Sequence, residues 1–154
     1  MITWYSKQFG DLTPPELYAI LQLRTEVFVV EQNCVFQDMD GKDHYCHHIM
    51  GWNNDKLIAT ARIVPPGISY EFPSIGRVVT SPSARSQNAG RELMNKSIEE
   101  LTSHYSNSII RIGAQLYLKK FYESFGFEQN GAIYDEDGID HIQMTRYADD
   151  ANLL

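Results

Sequence analysis

The stretch SPSARSQNAGRELM, Ser81 to Met94, carries the residues best suited to holding an anion. It lies between an apolar, strand-like run (Ile75, Val78, Val79) and a helical pattern. A loop that turns into a helix aims several backbone N–H groups at one point, and the helix dipole adds to their attraction for negative charge. Glycine suits such loops because it reaches positive φ and lets a phosphate approach the backbone closely. Here the loop holds one glycine, Gly90. Asn88 tolerates the left-handed region and can replace a glycine for conformation. Ser86 lacks that freedom but offers a hydroxyl, and Arg85 and Arg91 offer charge-assisted contacts. The spacing fits neither a P-loop, since no Gly-Lys-Ser/Thr follows, nor a dinucleotide fingerprint. On the loop alone two readings stand level: an anion site, or a plain strand–loop–helix connection with two solvated arginines.

A second cluster, DHYCHHI, contains the ligand types His44, Cys46, His47 and His48, with Cys34 upstream. Its spacing follows none of the usual zinc patterns, and neighbours such as His47 and His48 point to opposite faces of a strand. No metal is expected. Arg24 and Arg77 interrupt apolar stretches. A buried charge must be paired, so each is either a salt-bridge partner in the core or a residue of a binding site.

The elements that must position these groups can be read from periodicity and turn chemistry. In DLTPPELYAILQLRTEVFVV, Thr13 and Glu16 form a capping box with Pro14 at the first helical position. Leu17, Ile20, Leu21, Val27 and Phe28 follow at helical spacing. Asn53, Asn54 and Asp55 form a turn between strands at 49–52 and 57–64, and a further strand covers 75–80. Ala89, Leu93, Met94, Ile98, Leu101 and Tyr105 mark an amphipathic helix of about four turns. SIIRIGA reads as a strand. LYLKKFYESFGF reads as a short helix with Gly126 at a left-handed C-terminal cap. IYDEDGIDHIQMTRY reads as a hairpin turning at Asp137-Gly138. The order is strand, helix, three strands, helix, strand, helix, hairpin, which implies an α+β or α/β domain around one mixed sheet.

Bulk properties agree with one domain over residues 1–154. The 154 residues, 43% hydrophobic and 21% charged, suffice for a single core. A net charge of −7 argues against a sequence-independent nucleic-acid binder. No apolar run approaches the roughly 20 residues of a membrane span. The N-terminal residues lack an export pattern and two cysteines make no disulfide framework, so a cytoplasmic location is expected.

Taken together, IGRVVTSPSARSQNAGRELM and AQLYLKKFYESFGFEQNG resemble the GNAT acyltransferase superfamily. Its signature is a strand, an Arg/Gln-x-x-Gly-x-Gly/Ala loop and a helix, then a strand and a helix ending in Phe-Tyr-x-x-x-Gly-Phe. With LYAILQLRTEVFVVEQNC, HHIMGW and YDEDGIDHIQM the resemblance narrows to its ElaA-like branch and spans about Leu12 to Arg146. It implies a GNAT-like central mixed, mostly antiparallel sheet flanked by helices. It also implies acetyl-CoA as acyl donor, its pyrophosphate on Arg85, Ser86, Gln87, Asn88, Ala89, Gly90 and Arg91. The strand at Val78 and Val79 would hydrogen-bond the pantetheine arm, and Gln115 and Tyr122 would complete the donor site. Branch members usually carry glycine where Ser86 and Asn88 stand, which bears on affinity.

Acyl transfer from a thioester to an amine needs a neutral amine, a polarised carbonyl and a proton for the thiolate. An alkylamine of pKa about 10.4 must lose a proton, and the leaving thiol, of pKa about 8.5, must gain one. Tyr122 matches the superfamily tyrosine that supplies the second proton; its plain reading is an amphipathic core tyrosine. A backbone N–H near Val79 could polarise the carbonyl. For the base, Glu26, Glu31, Glu71 and His141 are candidates, and His141 leads because imidazole titrates near neutrality. A water chain would need no such residue. Arg24, Phe28, Gln32, Arg77 and Cys34 are candidates to line the acceptor side, each with an equally good structural role. The expected partner is a small-molecule or peptide amine, with no nucleic acid and no membrane, and a homodimer by analogy. The alternative is a non-catalytic coenzyme A-binding or interaction domain with an altered phosphate loop.

Overall fold

The first helix starts where its capping box requires. In the computed structural model, which describes residues 1–106 and 108–148, the Thr13 N–H donates to Glu16 Oε1 at 2.8 Å and the Glu16 N–H to Thr13 Oγ1 at 3.3 Å. These contacts satisfy two helix N–H groups that would otherwise lack partners. From there α1 (Pro14–Arg24) runs directly into a π-helical segment, Thr25–Glu31. Strand β1 (Thr3–Gln8) precedes it; β2 (His47–Asn53), β3 (Lys56–Val64) and β4 (Ser74–Thr80) follow. A 3₁₀ turn at Pro82–Gln87 leads into α2 (Ala89–Tyr105). Then come β5 (Ile110–Gln115), α3 (Lys119–Glu123), β6 (Phe127–Gln129), β7 (Tyr134–Glu136) and β8 (Ile139–Arg146). Among the described residues no helix is long and apolar enough to cross a membrane.

The strands pair antiparallel in two groups, β1-β2-β3-β4 and β5-β8-β6, with β7 also on β8. The groups join where the Arg111 N–H donates to the Pro73 carbonyl at 3.1 Å. Beyond that junction the later residues of β4 and β5 diverge. Two clusters cover the opposite faces of the first group. Ile49, Ala61, Ile63 and Ile75 pack with Leu93 and Leu101 of α2. Their strand neighbour Met50 packs with Val79 and with Ile20, Leu23 and Val27 of the first helical stretch. Adjacent strand residues face opposite ways, so the helices sandwich the sheet in the expected three layers.

Strand β4 departs from regular alternation. Ile75 and Val79 are four residues apart and would share a face in a regular strand, yet they belong to opposite clusters. The reason is a bulge: three steps of β4, Gly76 to Val79, oppose two of β3, Arg62 to Thr60. Arg77, inside it, has φ of 50°, a left-handed conformation uncommon outside glycine. Residues 127–129 also form a strand (β6) that the sequence reading does not contain, on the edge of β8.

The bulge is held by charge. Arg24, only 1% exposed, binds Asp38 through Nε at 2.8 Å and Asp43 through Nη1 at 2.9 Å. Arg62 binds Asp40 at 2.6 Å and Asp43 at 2.9 Å, and Arg77 binds Asp38 at 2.8 Å and Asp40 at 3.3 Å. Three arginines and three aspartates thus tie α1, β3 and the β4 bulge to the connection before β2. Burial alone would raise the Asp43 carboxyl, but hydrogen bonds from Arg24 and Arg62 bring it below the usual carboxylate range. Removing one partner of such a buried set strands the others' charges. Asp43→Asn should therefore cost about 3–5 kcal/mol in chemical denaturation; a loss under about 1 kcal/mol would refute its role. A depressed carboxyl stabilises the fold above its unfolded pKa of about 3.9. Stability should accordingly be lost as pH falls below about 4, with a shallower acid dependence in Asp43→Asn.

Candidate active site

Where β4 and β5 diverge they leave a cleft of about 860 Å³. Its walls include Val78, Val79 and Thr80 on one side and Gly113, Ala114 and Gln115 on the other, with Tyr122 of α3. β4 ends its sheet, so its outer edge past the bulge offers unpaired backbone groups to whatever lies in the cleft. An extended ligand can add to such an edge as a strand would.

One end of the cleft is the loop before α2. Asn88, the N-cap of α2, has φ of 61° and ψ of 19°, the left-handed conformation its residue type permits. Ser86 lies in the 3₁₀ turn and is not among the positive-φ residues, so the backbone demands no glycine there. At Gly90 a Cβ would meet only Phe121 Cζ, at 3.8 Å; packing does not require this glycine, and its place in the cleft wall leaves room for a ligand. Arg85 and Gly90 line the cleft. Ser86, Gln87 and Asn88 are exposed on the loop beside it, and Ala89 is buried against Ile58 and Ala84. Arg91 turns toward α3, donating to Ser124 Oγ at 3.0 Å and lying 4.7 Å over the Phe125 ring. Arg85 is engaged by a carboxylate: its Nη1 donates to Glu31 Oε2 at 3.0 Å and its Nη2 to Oε1. That contact draws the Glu31 carboxyl below its ordinary range.

At the middle of the cleft Tyr122 is 7% exposed, and burial raises its hydroxyl well above the ordinary tyrosine range. The group stays protonated at neutral pH, as a proton donor must. Its ring packs edge-on to Phe121 and Phe127, so α3 and the turn after it, where Gly126 has φ of 92°, fix its position. Gln115 Nε2 donates to Gln32 Oε1 at 3.2 Å, bringing together residues expected on the donor and acceptor sides.

The other end holds His141. Its Nδ1 lies 2.7 Å from the Ile139 carbonyl and its Nε2 3.2 Å from Glu136. A carbonyl only accepts, so Nδ1 carries a proton and Nε2 is the position that can exchange one. Tyr134, whose ring centroid is 5.8 Å from that of His141, and Tyr70 share this end. The sequence reading missed Tyr70, Tyr134 and Glu136. Tyr70 sits in an irregular connection, and no spacing links it to the other two.

Phe28, Gln32, Cys34 and Arg77 also line the cleft, but Arg77 is bound into the ion-pair network. Arg24 is a correction: of its two sequence readings the structure selects the core salt bridge, and it does not line the cleft. Glu31 pairs with Arg85, while Glu26 and Glu71 are exposed. Cys34 Sγ donates to the Asp137 carbonyl at 3.3 Å. In DHYCHHI, His44 lies 4.6 Å from the Phe9 ring, His47 stacks on His104 at 4.1 Å and His48 Nε2 approaches the Asp43 carbonyl at 3.0 Å.

Comparison with known proteins bears on what the cleft does. A model of the acetyltransferase (GNAT) domain matches residues 16–148. Protein ElaA of Escherichia coli is 46% identical over 148 residues, covering 95% of this chain and 97% of its own, and its crystal structure superposes with a TM-score of 0.89. An acyl-CoA N-acyltransferase from Pseudomonas aeruginosa is 40% identical, with a TM-score of 0.91 over 95% of this chain and 99% of its own. At 15% identity, a GNAT family acetyltransferase from Elizabethkingia anophelis with acetyl-CoA bound shares the fold at a TM-score of 0.63, covering 95% of this chain and 97% of its own.

The Glu31 carboxylate stands where an anionic ligand of Arg85 would. The pair is half-exposed, with side chains 46% and 38% accessible, and such pairs are weak because solvent screens them. Glu31→Gln should therefore tighten coenzyme A binding by roughly two- to fivefold in calorimetric titration. Weaker binding would mean that Glu31 supports the loop instead of competing for it.

Proposed function

Because the chain belongs to the GNAT acetyltransferase family, we propose that it moves an acetyl group from acetyl-CoA to a primary amine, by direct attack within a ternary complex. The observation that supports this most is the convergence of three parts in one cleft: the Arg85–Gly90 loop, the free edge of β4 and the buried hydroxyl of Tyr122. The loop residues Arg85 to Arg91 hold the pyrophosphate, with Asn88 supplying the turn and Ser86 a hydroxyl. The β4 edge at Val78 and Val79 takes the pantetheine arm, and a backbone N–H near Val79 polarises the thioester carbonyl. Gln115 borders the same channel.

His141 takes the proton of the attacking ammonium at Nε2, while its Nδ1–H stays on the Ile139 carbonyl. The amine nitrogen then forms its bond to the carbonyl carbon and the carbon–sulfur bond breaks; Tyr122 protonates the thiolate, and the second proton that the nitrogen sheds as the amide forms returns to the Tyr122 oxygen. A carboxylate beside Nε2 steadies the imidazolium that results. Phe28, Gln32 and Arg77 border the acceptor's path, Arg77 by fixing the wall instead of binding charge. The relative from Pseudomonas aeruginosa is an acyl-CoA N-acyltransferase, which supports the same reaction class here.

Calorimetric titration should give micromolar acetyl-CoA binding to the native chain and none to Gly90→Trp. Tyr122→Phe should leave that binding intact and lower kcat for amine acetylation by about 100-fold or more, the usual range for a lost general acid. Binding without transfer to any amine would leave a coenzyme A-binding domain in place of an enzyme. No binding at millimolar donor would overturn the acetyl-CoA reading.

A further inference from the structure

The end of the cleft beyond His141 carries a constellation that the transfer chemistry leaves unused. Gly113 is the central feature. A Cβ there would lie 2.8 Å from the Tyr134 hydroxyl and 3.0 Å from the Tyr70 hydroxyl. The two oxygens, from residues 64 positions apart, therefore converge over one point of the β5 backbone, and the missing side chain leaves the space in which they meet. Glu136 stands close enough to raise both hydroxyls' pKa values. Burial is the largest cause in each case; at Tyr134, which is pushed up to about 12, the neighbouring Tyr70 comes next and Glu136 after it. At Tyr70 the Glu136 carboxylate outweighs the opposing Arg111 guanidinium.

The charges around this point are unequal. Of the cleft's arginines, Arg62 and Arg77 are bound to aspartates and Arg85 to Glu31. Lys42 is held 3.0 Å from Ser69 Oγ. Arg111 lies over the Phe72 ring at 4.8 Å and 3.7 Å from Glu71. Among the described residues neither Glu136 nor Asp137 has a lysine or arginine partner, and Glu136 meets only His141 and is 59% exposed. Two phenol oxygens on aromatic rings and a carboxylate with no lysine or arginine partner among the described residues are groups that hold an ammonium.

We propose that Tyr70, Tyr134 and Glu136 form the acceptor subsite and select cationic primary amines that carry no carboxylate beside the amine. The proposal rests on the N-acyltransferase reading and names its substrate class. An α-amino acid seated with its nitrogen among these groups would bring its own carboxylate against Glu136, a like-charge contact in a partly desolvated cleft. The amine formed by removing that carboxylate meets no such penalty. His141, 3.2 Å from Glu136, is then the adjacent proton acceptor.

The test uses matched pairs, tyramine with tyrosine and tryptamine with tryptophan, in acetyl transfer and in calorimetric binding to protein loaded with coenzyme A. The native chain should prefer each amine over its amino acid by about 100-fold in kcat/KM. Glu136→Gln should raise the amine KM about tenfold, leave acetyl-CoA binding unchanged, and shrink the preference. Gly113→Ala, which pushes the two hydroxyls apart, should also raise the amine KM. Equal rates on both members of a pair, or a preference untouched by Glu136→Gln, would overturn the subsite while leaving the N-acyltransferase standing. Amine binding that depends on Glu136, with no transfer, would do the reverse.

Discussion

The cleft depends on six buried or half-buried charges that share one cage. Arg24, Arg62 and Arg77 meet Asp38, Asp40 and Asp43 in a set of contacts between 2.6 and 3.3 Å. Their formal charges cancel, which a site this poorly solvated requires. Buried ion pairs add little net stability compared with apolar packing, but they are costly to leave incomplete. Their effect here is to fix geometry. Arg77 holds a left-handed conformation in the middle of a strand, a strain of about 1–3 kcal/mol, and its guanidinium is clasped by Asp38 and Asp40. The same aspartates anchor the connection that carries Gln37, Asp40 and Lys42 to the cleft wall.

From that bulge the rest of the site follows by register. The extra residue moves Val79 to the α1 face, leaves Val78 against the α2-side core, and carries β4 away from β5. A regular β4 could continue alongside β5 and close the sheet, leaving no edge for a ligand. Divergence gives a free strand edge on one side, β5 and β8 with Gly113 and His141 on the other, and α3 with Tyr122 between them. The site is thus made by a failure of pairing that the ion network stabilises. The π-helical end of α1, another break in regular periodicity, brings Val27, Phe28, Glu31 and Gln32 to the same cleft.

Much of this frame was legible in the sequence, and the reason differs by element. The Thr13–Glu16 cap and the Asp137-Gly138 turn are local chemistry and appear as residue type predicts, while Gly126 is left-handed as expected but sits in the turn after α3, whose C-cap is Ser124. Asn88 was legible for the same reason: few residues tolerate its φ. The loop, strand and Tyr122 blocks gained meaning from their order along the chain. What escaped was non-local. No pattern announces that Arg77 adopts positive φ, because the cause lies in Asp38 and Asp40, 37 or more positions away. Arg24 could be read equally as a core or a site residue, since burial and pairing are settled only by packing. Tyr70 and Tyr134 meet over Gly113 through the register of β5, β7 and β8, which periodicity in any one segment does not contain. β6 is three residues long, too short for alternation to show.

The strengths of the contacts are graded in a way that suits an enzyme of this class. Those that set the frame are buried and multiple: the charge cage, and the cores on both faces of the sheet. Those across the mouth of the cleft are few and half-exposed. Glu31 with Arg85, Gln32 with Gln115 and Cys34 with the Asp137 carbonyl link the end of α1 to the loop before α2, to β5 and to the last hairpin. Exposed ion pairs and single neutral hydrogen bonds each contribute little net stability, because water offers comparable contacts. A ligand with phosphate oxygens and amides can therefore replace them at little cost, whereas nothing it offers could replace the cage. Rigidity lies where geometry must be kept, and exchangeable contacts lie across the mouth of the cleft.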